Sequence, residues 1–167
     1  MKFVDLRFSA LSKADEEPGD EIIDKVVFDA VNHGYKQVAT LVDKQIKSIT
    51  LNYADKIELP IDYYDVVKIV CNDVQLSEND YYISGSYLFI TNKDFKADTN
   101  TFDMLYIYYP NSLELDDDLP VTRESFDYLI IMYGAYNVLL YKKRYNMAEM
   151  LFNEYSSIVN GGDKDEI

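Results

Sequence analysis

The sequence has little of the material from which most metal sites and many catalytic sites are built. Its 167 residues include one cysteine and one histidine, so an internal disulfide and a thiolate metal cluster are both excluded. Cys71 lies in the apolar run 66–71, where we expect a small buried hydrophobic residue. His33 has no second histidine and no nearby cysteine as a companion, so we expect a partly buried helix residue rather than a ligand or a triad member.

Positive charge is also scarce. The chain has 16 Lys and Arg residues against 30 Asp and Glu residues, which gives a formal net charge of −14 at pH 7. Proteins bind DNA and RNA mainly through cationic side chains that displace counterions, so this balance disfavours tight nucleic-acid binding and attachment to anionic lipid. The same charge suits a surface past which a polyanion slides without sticking.

Long uncharged stretches are missing as well. The uncharged run in the most apolar segment extends from Tyr128 to Tyr141, which is shorter than the roughly 18 residues that a membrane span needs. We therefore expect no membrane segment. The first residues of the sequence show neither a long apolar stretch nor a small-residue cleavage site, so we expect no signal peptide and an intracellular protein.

Motifs that support catalysis are absent from the sequence. Asp116, Asp117 and Asp118 stand in a row without the alternating spacing, the glycine and the distal glutamate of a calcium loop. Ser84 and Ser86 flank a hairpin glycine instead of a strand-to-helix elbow, and no glycine-rich loop precedes a helix. We predict a protein that is not an enzyme, with no catalytic residue, no metal site and no cofactor.

The most informative stretch that is present is the apolar segment from Phe126 to Tyr141. Within it, three residues fall outside the apolar and aromatic set: Asp127, Gly134 and Asn137. A helix of this composition must be wrapped by other elements or by other subunits, and we expect that one molecule alone does not cover it fully. We predict a helix of about twenty residues from Arg123 to Lys142, with Thr122 as its N-cap.

A long amphipathic helix is predicted near the N-terminus. Asp20 is typical of an N-cap, and from Glu21 to Asp43 the apolar residues recur at steps of three and four, which gives one apolar stripe. Gly34 weakens this helix by about 1 kcal/mol relative to alanine. We therefore expect a neighbouring element to approach closely at Gly34.

A short helix is predicted near the end of the chain. It follows a break at Tyr145 and Asn146, and its apolar residues from Met147 to Asn160 fall at helical spacing. Gly161 and Gly162 follow at the position where a left-handed cap is favoured, so we expect the helix to end there.

Between residues 45 and 110 the apolar pattern changes to a period of two and predicts about five to seven short strands. The residues from Asp62 to Asp65 are predicted as a turn, Asn72 and Asp73 as a tight turn, and Gly85 as the tip of a hairpin. Fifteen of the sixteen tyrosines lie after residue 50. They suit either cross-strand packing within a sheet or a surface that binds a partner, and the sequence leaves both readings open.

These patterns together predict an α+β fold in one chain of one domain. Its helical core has a long N-terminal helix, a long central helix and a short C-terminal helix, from residues 1–44 and 119–160. An antiparallel β meander or small sandwich is inserted at residues 45–110, and residues 161–167 form a C-terminal tail.

The order of these blocks resembles the head-to-tail adaptor, or connector, proteins of tailed bacteriophages. The resemblance covers about residues 20 to 160, and the order and spacing of short motifs carry it. These motifs are Asn32, Tyr35, Val38 and Ala39 on the first long helix; residues 59–63, 66–70 and 80–83; the strand end at 108–110; Leu119 and Pro120; and Ala148, Glu149, Phe152, Glu154 and Tyr155.

The resemblance implies a structural protein of the virion neck, made in the host cytoplasm. It would form a ring of about twelve copies beneath the portal protein, joined to a downstream tail or neck protein, and DNA would pass through its lumen without specific binding. The residues expected to dock on the portal are Tyr155, Ile158, Val159, Asn160, Gly161 and Gly162. The residues expected to pack between subunits are Tyr128, Ile131, Met132, Tyr136 and Leu139.

Two alternatives stay open at this point. The chain is also compatible with a tyrosine-rich protein-binding module, such as a phage-encoded binder of a host factor, and with another neck or tail-completion protein.

Overall fold

A computed structural model describes residues 1–161 and confirms the α+β fold. The chain divides into two compact units. The first unit contains residues 1–44 together with the chain from Pro110 onward, and the second contains Gln45–Tyr109. The second unit corresponds to the predicted β insertion, except for Pro110, which belongs to the first unit.

The described part of the first unit contains four α-helices. Its helices are α1 (Phe3–Lys13), α2 (Glu21–Gln37), α3 (Asp127–Tyr141) and α4 (Tyr145–Gly161). A π-helical turn, Val38–Val42, continues α2, and a 3-10 turn, Glu124–Phe126, precedes α3. The Asp20 carboxylate accepts hydrogen bonds from the backbone N–H groups of Ile22 and Ile23 at 3.0 and 3.2 Å, so the predicted cap of α2 is confirmed.

The apolar helix α3 is covered by its own chain. It packs against α1, α2 and α4 in one buried cluster, and its exposed side chains are Tyr128 and Tyr141, near its two ends. The expectation that one molecule does not cover this helix was therefore wrong. The composition of α3 shows that it must be surrounded, but it does not show whether the surrounding helices belong to the same molecule.

Two glycines allow the helices of this unit to approach closely. A Cβ atom on Gly34 would lie 3.0 Å from the Cβ of Tyr133, which confirms the close approach expected there. A Cβ atom on Gly134 would lie 2.9 Å from both the Cβ of Ala10 and the Cγ2 of Val31. The backbone of α3 therefore lies directly against side chains of α1 and α2.

The helix ends differ from the sequence-based expectation at two places. Thr122 is not the cap of α3, because that helix begins later, at Asp127, after the 3-10 turn. The preceding segment is held by Asp43, whose carboxylate accepts hydrogen bonds from the backbone N–H and the Nε of Arg123 at 2.7 and 2.8 Å. The final helix begins at Tyr145 instead of Met147, because the chain turns two residues earlier than predicted, at Lys143, which has a φ of 57°.

The second unit contains two antiparallel sheets. Its strands are β1 (Ile46–Asn52), β2 (Ile57–Glu58), β3 (Tyr63–Cys71), β4 (Val74–Gln75), β5 (Tyr81–Ser84), β6 (Tyr87–Ile90) and β7 (Thr101–Tyr108). One sheet has the order β1-β7-β3-β4 and the other the order β2-β6-β5. Side chains from both sheets share one core, so the unit is a small sandwich. Cys71 is fully buried in that core, as expected.

The turns of the second unit are mostly as predicted. Asn72 and Asp73 have φ values of 50° and 64°, and Gly85 has a φ of 60°, as tight hairpin turns require. The turn predicted from Asp62 to Asp65 is wrong, because β3 already begins at Tyr63, which pairs with β7. Asp62 alone keeps a turn role, and its backbone carbonyl accepts a hydrogen bond from the backbone N–H of Tyr109 at 2.7 Å.

A buried tyrosine in this unit gives a testable pH dependence. The Tyr106 side chain is 4% exposed, and its hydroxyl donates to the Asp62 carboxylate at 3.0 Å. Burial, together with this hydrogen bond, raises the pKa of Tyr106 to about 12. In the unfolded chain the Tyr106 hydroxyl ionises near the ordinary tyrosine pKa of 10.0. We therefore expect the free energy of unfolding to fall between these two pH values, by about 1.4 kcal/mol per pH unit for this group.

Urea unfolding at a series of alkaline pH values measures this effect. The variant Tyr106→Phe has no hydroxyl to ionise and should lose less stability over that range than the wild type. Tyr82→Phe is the matched control, because Tyr82 is 51% exposed. Equal pH slopes for wild type and Tyr106→Phe would contradict the prediction.

Candidate functional site

The three consecutive residues Asp116, Asp117 and Asp118 make ion pairs and hydrogen bonds within the first unit. Asp116 pairs with Arg7 and Asp117 with Lys2, and the Asp118 carboxylate accepts two backbone N–H groups of its own turn. Within residues 1–161 no group of three or more His, Cys, Asp or Glu side chains is placed to hold a metal ion. These carboxylates therefore have structural partners in the first unit.

His33 belongs to a hydrogen-bonded network between helices. Its exposed ring stacks on Tyr133 with 5.2 Å between the ring centroids, and its Nε2 lies 3.1 Å from the Nε2 of Gln37. The Gln37 Oε1 in turn accepts a hydrogen bond from the hydroxyl of Tyr155 at 2.7 Å. These contacts join α2, α3 and α4, so His33 has a structural role. Its side chain is exposed, so the expected partial burial was wrong.

The surface groove that contains His33 is lined by side chains with structural roles. Its lining residues are Phe28, Asp29, Asn32, His33, Lys36, Ser112 and Glu114. The side-chain amide of Asn32 is bonded to the backbone of Leu113, and the Lys36 ammonium donates to the Ser112 hydroxyl at 2.8 Å. Asn32, Lys36 and Ser112 therefore join α2 to the segment after residue 110, which is a structural role.

The strongest candidate for a binding surface is the exposed apolar side of α4. The helix buries Ala148, Leu151 and Tyr155 against the core of the first unit. Large apolar side chains flank this buried stripe on both sides, with exposed fractions of 61% for Tyr145, 48% for Met147, 74% for Met150 and 40% for Phe152. Exposed apolar groups concentrated in this way mark protein-binding sites.

The methionine side of α4 forms a shallow groove. Met147, Met150, Leu151 and Leu139 line it together with Lys13 and Glu154. Its volume is about 270 Å³. Methionine side chains are flexible and polarisable, and they adapt to the shape of an apolar partner. We call the pair Met147 and Met150 the α4 surface.

None of the described residues predicted to dock on the portal belongs to the α4 surface. Tyr155 is 5% exposed, and its hydroxyl donates a hydrogen bond to Gln37. Its inclusion among the docking residues was therefore wrong, because the side chain already packs in the core of the first unit. Ile158 and Val159 are half-buried against that core. Asn160 and Gly161 are exposed, and Gly162 lies outside the described residues.

The residues predicted to pack between subunits are also partly exposed and partly buried. Tyr128 is 44% exposed, whereas Met132 and Leu139 are 3% and 2% exposed. Ile131 and Tyr136 are half-buried. Met132 and Leu139 are therefore corrected to core residues, because α1, α2 and α4 already cover α3 on those sides.

The sequence-based prediction missed the α4 surface. The available signal was the width of the apolar pattern: Met147, Met150 and Phe152 widen the stripe formed by Leu151 and Tyr155 beyond what one contact face needs. A broad apolar arc on a short helix indicates that part of it has a partner other than its own core.

The tyrosines of the second unit mostly pack within the sheets. Tyr82 stacks on its register partner Phe89 with 4.8 Å between the ring centroids and 6° between the planes. Tyr63 lies 6.3 Å from Tyr106 on the neighbouring strand. These contacts favour the cross-strand reading of the tyrosine-rich segment over a dedicated binding surface.

Comparisons with known proteins assign this chain to no family. No protein-family model matches the chain, and no curated protein matches it. None of the helices within residues 1–161 combines the length and the apolar character needed to cross a membrane.

Proposed function

We propose that this chain is a head-to-tail adaptor of a tailed bacteriophage, which assembles as a ring beneath the portal protein and extends the DNA channel toward the tail. The observation that carries the proposal is the order of the blocks. A helical unit built from both ends of the chain is interrupted by an inserted β unit, and the adaptor-like motifs are distributed over both in the expected order.

The first of these motifs has a structural role that supports the proposal. Asn32, Tyr35, Val38 and Ala39 all lie at the buried side of α2 and its π-helical continuation, with exposures between 0% and 7%. Tyr35 also accepts a hydrogen bond from the backbone N–H of Val121 at 3.3 Å. A motif made of packing residues reports on the fold of the helical unit, so a shared motif is an argument for a shared fold.

Surface chemistry supports the same role. In this proposal the α4 surface contacts the portal protein, because it offers large apolar side chains that the chain leaves uncovered. The net charge of −14 opposes adhesion of DNA, as the wall of a channel for a moving genome requires. The ring itself would use contacts of one surface against a different surface of the next copy.

Co-expression with the portal protein of the same genome tests the proposal. We expect a ring-shaped complex in electron micrographs. The variant Met150→Asp should weaken portal binding at least about tenfold, because a carboxylate would have to be buried in the contact. Its thermal unfolding should be unchanged, since Met150 is 74% exposed.

Asn153→Asp is the matched control, because it adds the same charge at another exposed position of α4. It should bind the portal like the wild type. If the wild type neither oligomerises nor binds the portal, the adaptor role is refuted. Retention of a host protein in place of virion proteins would favour the host-factor binder instead.

A further inference from the structure

Within the second unit, no strand among the described residues pairs with one edge of the four-stranded sheet. Strand β1 pairs with β7 on one side only and is the first strand in the sheet order. The backbone hydrogen bonds from Tyr108 N–H to the Gln45 carbonyl and from Tyr53 N–H to the Asn100 carbonyl bracket the strand. In an antiparallel pair the bonded positions alternate, so Lys47, Ile49 and Leu51 bond to β7.

The intervening residues direct their backbone groups away from the sheet. They are Ile46, Ser48, Thr50 and Asn52, and the side chains of all four are exposed. A row of outward N–H and C=O groups on a strand of this length is a template for another strand.

The other edge of this sheet is protected, and β1 is not. Strand β3 carries register shifts near Asp65 and Lys68, and β4 covers its C-terminal end. Bulges of this kind prevent edge-to-edge pairing. Strand β1 runs in unbroken register with β7, contains no proline and has Lys47 as its one charged residue.

We propose that β1 pairs antiparallel with β1 of a second copy of this chain, about a two-fold axis at Ile49. In this register the outward residue Ser48 lies opposite Thr50 of the second copy, and Ile46 lies opposite Asn52. Lys47 lies opposite Leu51, so no like charges meet. The strand can therefore pair with a second copy of itself without charge repulsion between opposite residues.

The position of Ile49 in the second unit is the reason to expect a second copy of this chain as the partner of β1. Ile49 is half-buried at the border of that core. On the two-fold axis the two Ile49 residues occupy a non-hydrogen-bonded pair, with about 4.5 Å between their Cα atoms. Each side chain then covers the other, and the apolar core continues from one copy into the next.

This pairing is independent of the proposed adaptor role. A two-fold contact uses the same surface on both copies and closes as a dimer, whereas a ring needs two different surfaces. The pairing is therefore a property of the free chain, and a monomeric free chain would leave the portal experiment unaffected.

Sedimentation of the full chain over a range of concentrations tests the inference. We expect a weak dimer at concentrations on the order of 100 µM that dissociates on dilution. Ser48→Pro removes an outward N–H and should raise the dimer dissociation constant at least about tenfold. Ser48→Ala keeps that N–H and is the matched control, so it should dimerise like the wild type.

A charge exchange tests the register even if the proline variant does not fold. The double variant Ile46→Lys with Asn52→Lys, and the double variant Ile46→Glu with Asn52→Glu, each place like charges opposite one another and should be monomeric. An equal mixture of the two should dimerise. A wild type that is monomeric at every concentration, a dimer that survives Ser48→Pro, or a mixture that stays monomeric would each overturn the proposal.

Discussion

Replacing Gly134 with alanine is expected to lower the free energy of unfolding by about 2 kcal/mol, although alanine favours a helix over glycine by about 1 kcal/mol. The added Cβ would lie 2.9 Å from the Cβ of Ala10 and from the Cγ2 of Val31. The Ala10 atom is fixed to the backbone of α1, and Val31 is β-branched and has little rotamer freedom in a helix. The helices must therefore separate, which loosens the packing around α3.

Urea unfolding followed by circular dichroism measures this loss. Gly161→Ala is the matched control, because nothing lies within 4 Å of its added Cβ, and we expect a change within about 0.5 kcal/mol. Val31→Ala removes one of the two clashing atoms, so the double variant Val31→Ala with Gly134→Ala should lose less than the sum of the single variants. A Gly134→Ala protein as stable as the wild type would show that α1 and α2 move at little cost.

Replacing Asn32 with leucine is expected to cost about 3 kcal/mol. The side chain is 7% exposed, its Oδ1 accepts from the backbone N–H of Leu113 at 2.7 Å, and its Nδ2 donates to the Leu113 carbonyl at 2.9 Å. Leucine can make neither bond. Because Leu113 is itself buried, both of its backbone groups would lose their partner away from water, and each such loss is costly.

The same unfolding measurement separates this effect from a general sensitivity of the region. Ser112→Ala is the control, since the Ser112 hydroxyl makes only a surface contact with Lys36, and its effect should stay within about 0.5 kcal/mol. A loss below about 1 kcal/mol for Asn32→Leu would mean that the segment around Leu113 finds other hydrogen-bond partners.

The elements themselves were largely readable from local sequence. Asp20 caps α2 as predicted, the hairpin turns at Asn72 and Gly85 have the positive φ that their residue types favour, and Cys71 is buried. Each of these features depends on residues close in the chain. Predictions failed where local signals conflicted. The polar and aromatic residues from Asp62 to Asp65 are compatible with a turn and with a strand, and pairing with β7 places all but Asp62 in strand β3.

Which side chains of α4 are exposed depends on contacts with residues that are distant in sequence. Tyr155 and Met150 both belong to the apolar pattern of the last helix, yet they are 5% and 74% exposed. The difference arises because α4 rests on α3 along one side only, and Gln37, far away in sequence, binds the Tyr155 hydroxyl. A sequence pattern shows that a side chain is apolar, and it does not show which neighbour reaches it.

The sequence by itself determined the α+β composition, the helical and extended segments, and the acidic charge that opposes binding of DNA, because periodicity and net charge are properties of the chain alone. Only the tertiary structure decided that α3 is covered within one molecule, that Met132 and Leu139 are core residues and that the α4 surface stays open. Burial of a helix face is fixed by the elements that lie beside it, and these come from parts of the chain that no local pattern connects.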